Sequence, residues 1–170
     1  MLHAIAHPMV WMIFPFAMLL AALMDLFTMT IPNRLSLALT AAYFALAILL
    51  GIPAHSILMN MSCGFAVLAL CFGLFAMGMV GGGDAKLAAA SALWLGWDLL
   101  LQYGLMVSLI GGAVTIGFIA LHKSPLPEFF KRFAWIVRLH EAKAVVPYGL
   151  ALAVGGLLMY PQSQIFLSAT

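Results

Sequence analysis

Residues 35–83 read LSLALTAAYFALAILLGIPAHSILMNMSCGFAVLALCFGLFAMGMVGGG, without one Asp, Glu, Lys or Arg. One membrane helix needs about 20 apolar residues, so this run is too long for a single span. Gly51-Ile52-Pro53 divides it, because a proline disfavours helix at the residue before it. The stretch therefore reads as two spans, near 35–52 and 57–79.

The rest of the chain follows the same pattern. Of its 170 residues 66% are hydrophobic and 7% charged, with a mean hydropathy of +1.16. A soluble domain carries roughly a quarter charged residues, so a water-soluble globule and a disordered chain are both excluded. Further spans are expected near 9–26, 85–101, 103–121 and 145–162, with the turn between the fourth and fifth lying between Asp98 and Gly104. The fold class is all-α, a polytopic membrane protein of six helices forming a single domain over residues 1–170. Residues 1–24 lack Lys and Arg, unlike the basic start of a secretory signal, and read as a retained first span.

Six spans make a topology that the basic residues can test. Arg34 lies after span one, Lys86 after span three, and Lys123, Lys131, Arg132, Arg138 and Lys143 after span five. All fall on one side. By the positive-inside rule that side is cytoplasmic and both termini face out, which predicts a multi-pass inner-membrane protein. Between spans five and six, Leu126, Phe129, Phe130, Phe133, Ile136 and Val137 recur at helical spacing among charges. This predicts an interfacial helix near 126–141, with anionic lipid as the partner of segment 122–144. Small residues four apart, Ala88, Ala92 and Gly96, then Ala151 and Gly155, suit close helix packing. Cys63 and Cys71 form no CxxC pair and read as packing thiols.

Against this scarcity of charge, two acids stand out. Asp25 ends span one and Asp84 opens span four, so both reach the cytoplasmic face and meet if those helices pack. An acid at the edge of hydrocarbon is a functional candidate by default. Two adjacent carboxyls share one proton, so the charged member can take a proton from water while the protonated one donates to a peptide carbonyl. That is aspartic peptidase chemistry. The plainer alternative is helix capping: Asp84 before Ala-Lys-Leu suits an N-cap, whereas Asp25 at a helix C-terminus opposes the macrodipole.

Asp84 closes Gly81-Gly82-Gly83-Asp84, a GxGD motif, and Asp25-Leu26 is followed by Ile31-Pro32-Asn33 on the same side. With Val146-Pro147-Tyr148-Gly149 at the last span, these stretches resemble the type IV prepilin peptidase family of GxGD aspartic membrane peptidases. The resemblance implies an endopeptidase that cuts the short basic leader of prepilins or pseudopilins at the cytoplasmic surface, with Asp25 and Asp84 catalytic. It implies no metal or organic cofactor and no nucleic-acid partner. Larger members carry a methyltransferase region; the length and cysteines of this chain fit a peptidase-only branch such as that of tight-adherence (Flp) pili. Gly81, Gly82, Gly83, Lys86, Pro147, Tyr148 and Gly149 are candidates for shaping the site or seating substrate. Lys86 equally suits an anchor or a lipid-phosphate contact, and Pro147 a helix start. HExxH, GxSxG and Walker A patterns are absent. A proton-coupled transporter would place such acids near the midplane, and a non-catalytic subunit of a pilus or secretion assembly would tolerate their loss.

Overall fold

A computed structural model describes residues 2–123 and 147–169, together with positions 129, 132 and 137. Among the described residues all regular structure is helical: α1 (Leu2–Thr28), α2 (Asn33–Leu49), α3 (Ala54–Ala76), α4 (Gly82–Lys123), α5 (Tyr148–Met159), a 3-10 turn (Tyr160–Gln162) and α6 (Gln164–Leu167). Three helical stretches are long and apolar enough to cross a membrane, His7–Thr28, Ala54–Ala76 and Gly82–Ala120. The expected interfacial helix at 126–141 lies outside the described residues except at exposed Phe129 and Arg132 and half-buried Val137.

The glycine breaks are explicit in the backbone. Gly51 adopts φ +69, and the N–H groups of Gly51 and Ile52 turn back to donate to the carbonyls of Ile48 and Ala47 at 3.1 and 2.9 Å. These paired bonds close α2 with a left-handed residue, where glycine has no Cβ to clash. Gly78 (φ +73) ends α3 in the same way, with Gly78 and Met79 donating to Phe75 and Leu74.

The break inside α4 departs from expectation. Residues 97–123 are continuously helical, and the non-helical residue is Gly96, with φ 73 and ψ 179. The turn therefore precedes the Asp98–Gly104 stretch, and Gly96, expected with Ala88 and Ala92 in a row of small packing residues, is the bend itself. Contacts show that the chain reverses there. Before the break, α4 runs from Gly83 against Ile31 to Trp94 beside Tyr160. After it, Tyr103 contacts Leu152 and Gly155, whereas Gly111 and Thr115 contact Tyr148. The two halves of α4 thus pass α5 in opposite directions. A Cβ on Gly96 would stand 2.6 Å from Asn60 Oδ1, so the α3 side chain packs directly on the bend. Asn60 in turn donates to Tyr43 OH at 2.9 Å, joining α2, α3 and the bend.

α4 packs on α3 and α5, and α1 packs on α5 and α2. An aromatic core sits far from the Gly83 end: Phe14 stacks on Tyr160 at 4.4 Å and lies 5.2 Å from Trp94, which meets Tyr43 at 5.8 Å. Their polar atoms are satisfied, since Trp94 Nε1 donates to Leu39 O and Tyr160 OH to Val10 O at 3.0 and 2.7 Å. Hydrocarbon offers no water to do this instead. Outside, Phe16, Leu37, Phe65, Leu101 and Ile116 are exposed, as side chains facing lipid would be. Close approaches use small residues as expected: Ala92 and Ala151 are fully buried, and a Cβ on Gly155 would lie 2.9 Å from Val107. Cys63 and Cys71 are both free thiols.

Candidate functional site

Pro147 is fully buried and precedes Tyr148, the first residue of α5, and as N-cap it offers no side-chain acceptor of its own. The first N–H groups of a helix need acceptors from elsewhere. Asp25 supplies one: its Oδ2 accepts from the Gly149 N–H at 2.7 Å. Asp25 is 6% exposed, and its charge lies against the positive end of the α5 dipole. An acid that opposes the dipole of its own helix thus caps another, which corrects the view that capping does not suit Asp25.

Asp84 is the third residue of α4 and half-buried. It is not the N-cap. Gly81 holds that place, its carbonyl accepting from Ala85 N at 3.0 Å, while the Asp84 carboxyl folds back over it. A Cβ on Gly81 would lie 2.8 Å from Asp84 Oδ2. A Cβ on Gly82 would lie 3.3 Å from the Phe75 ring, and one on Gly83 would be 3.1 Å from Ile31 Cβ. Any side chain at Gly83 would press on Ile31 where α4 crosses the α1–α2 connection.

Ile31 links the two acids. Gly83, beside Asp84, meets Ile31 from one side; on the other, a Cβ on Gly149 would lie 2.8 Å from Ile31 Cδ1 and 2.7 Å from Asp25 Oδ2. The Asp25 and Asp84 carboxyls come within electrostatic reach of each other. Residues 59 positions apart in sequence thus share one end of the bundle.

The other candidates divide. Gly149 touches Asp25 directly. Tyr148 instead lays its ring on Gly111, with its OH 3.4 Å from Thr115 Oγ1, and so braces α4 against α5. Lys86 is exposed and donates from Nζ to Asn33 Oδ1 at 2.8 Å, tying the start of α4 to that of α2. The bond between Asp25 and α5 was missed by the sequence reading. Its signal was Pro147-Tyr148-Gly149, a helix start with no Ser, Thr, Asp or Asn to cap it, on the side of the membrane assigned to Asp25.

The profile of the type IV leader peptidase family matches residues 12–116, across both acids. The chain belongs to this family. Two curated sequences, each named prepilin leader peptidase/N-methyltransferase, from Aeromonas salmonicida strain A449 and from Aeromonas salmonicida, are 31% identical to it over 138 residues. That alignment takes in 78% of this chain and 42% of each relative, so the chain spans less than half the length of the curated relatives it matches. No solved structure matches it.

Proposed function

We propose that the protein is a membrane aspartic endopeptidase that removes the leader of type IV prepilins, Flp-like ones among them, at the cytoplasmic membrane face. The observation that carries this is the convergence of Asp25 and Asp84 around Ile31. Asp25, engaged by the Gly149 amide, is oriented as the carboxylate that takes a proton from the attacking water. Asp84, half-buried under Gly81, donates to the carbonyl oxygen of the scissile peptide. Collapse of the tetrahedral intermediate breaks the C–N bond and expels the amine, which takes up the proton acquired by Asp25, while the re-forming carbonyl returns its proton to Asp84.

In the membrane the reading is six spans, with the two halves of α4 as the fourth and fifth. The break at Gly96 supplies their turn. Asn33 and Lys86, joined by their hydrogen bond, place Arg34 and Lys86 at the end that holds the acids, which supports a cytoplasmic site by the positive-inside rule.

A second reading, a non-catalytic assembly subunit, draws on the same geometry, because Asp25 has a structural task as the cap of α5. Co-expression with a prepilin and measurement of leader loss by mass separates the two. Peptidase chemistry requires both carboxyls, whereas capping survives Asp25→Asn.

A further inference from the structure

A cleft of about 490 Å³ opens between α2, α3 and the first half of α4, separate from the Asp25–Asp84 junction. Its walls are mainly apolar, with Phe44, Phe65, Leu68 and Leu93 among them, and one end carries Asn33, Ser36 and Lys86. Three observations give that end an anionic preference. Lys86 is exposed, and its partner among the described residues is the neutral amide of Asn33. α2 starts at Asn33 behind Pro32, with no side-chain cap, leaving N–H groups and the positive dipole end for an anion. Ser36, one turn further on, is 6% exposed, and its hydroxyl has no hydrogen-bond partner. A buried hydroxyl without a partner is costly, and Ser36 lines the cleft.

We propose that this cleft binds one anionic phospholipid of the cytoplasmic leaflet, its phosphate at Lys86 and the α2 N-terminus and one acyl chain along the apolar walls. Polarity selects the occupant: a basic end beside an uncapped helix N-terminus, continuous with apolar walls, matches a phosphate headgroup joined to an acyl chain. The basic, polar end faces the side to which the positive-inside rule assigns Arg34 and Lys86, where anionic lipids concentrate. The site does not depend on the catalytic reading, although Lys86 is two residues from Asp84 and the lipid would border the active site.

The test loads the full chain, purified in detergent, with dioleoyl phosphatidylglycerol or with dioleoyl phosphatidylcholine and counts retained lipids by native mass spectrometry. The wild type retains at least one phosphatidylglycerol at a tenfold lower lipid concentration than it needs for phosphatidylcholine. Lys86→Gln, a surface change that spares the fold, abolishes that preference for one lipid, and Ser36→Ala weakens it severalfold. Leu68→Trp, which fills the cleft, removes the same lipid without altering charge. Equal retention of the two lipids, or an unchanged preference in Lys86→Gln, overturns the proposal. Displacement of the lipid by millimolar inorganic phosphate overturns it too, by showing a plain anion site.

Discussion

The carboxyl of Asp25 accepts a 2.7 Å hydrogen bond from the backbone N–H of Gly149, 124 positions further along the chain. One side chain thus fixes the start of α5 and, through Ile31, faces the turn that carries Asp84. Structure and proposed chemistry meet in the same oxygen atoms, so substitutions here must be chosen to separate them.

Asp25→Asn keeps an oxygen for the Gly149 N–H and removes the charge; Asp25→Ala removes both. Leader cleavage is expected to vanish in both variants. Only Asp25→Ala should lose the cap, at about 1 kcal/mol, beyond what Asp25→Asn loses. Thermal unfolding in detergent, followed by circular dichroism, reads the difference.

Gly83→Ala puts a methyl group 3.1 Å from Ile31 Cβ and 3.2 Å from Ile31 O. The contact must give by a few tenths of an ångström, which presses on the turn that carries Asp84. Misplacing a catalytic group by about 1 Å costs on the order of a hundredfold in rate, so this smaller shift is expected to lower kcat severalfold while the protein still folds. Single-turnover cleavage of a prepilin checks this. A rate within twofold of wild type would separate Gly83 from the chemistry.

Gly96 occupies φ 73 and ψ 179, a region open essentially to glycine alone, with Asn60 Oδ1 against it. Gly96→Ala is expected to destabilise by about 1–3 kcal/mol from backbone strain, before the clash is counted. Asn60→Ala relieves the clash but strands Tyr43 OH, its hydrogen-bond partner. The double variant should therefore be less destabilised than the sum of the two singles, a coupling that chemical denaturation of all three can measure.

The six-span topology predicts opposite labelling of the two ends. In a variant lacking Cys63 and Cys71, a cysteine at Arg34 should react with a membrane-impermeant maleimide only in inverted vesicles, and one at His55 only in intact cells. The reverse pattern would invert the topology.

Much of this was legible in the chain. Gly51-Ile52-Pro53 marked the end of α2, and the scarcity of charge singled out Asp25 and Asp84, which the fold brings together. The bend in α4 was not legible. Ala88, Ala92 and Gly96 share a spacing that equally describes a packing face, and the bend is visible only in the backbone, with Gly96 at φ 73 and ψ 179. Nor could local sequence reveal the cap on α5, because an acid placed badly for its own helix dipole is placed well for a neighbour's. Tyr148 fell in a motif beside Gly149, yet it lies on Gly111 in the second half of α4. Lys86 went to Asn33 for a similar reason: two polar groups at the starts of adjacent helices found one another.

The central claim is that Asp25 and Asp84 together hydrolyse the leader peptide bond. It is tested most directly by reconstituting wild type, Asp25→Asn, Asp84→Asn and the double variant in lipid with a prepilin and following the leader by mass. The account predicts complete loss of cleavage in each variant, with thermal stability close to wild type. Continued release of the leader by the double variant would contradict it.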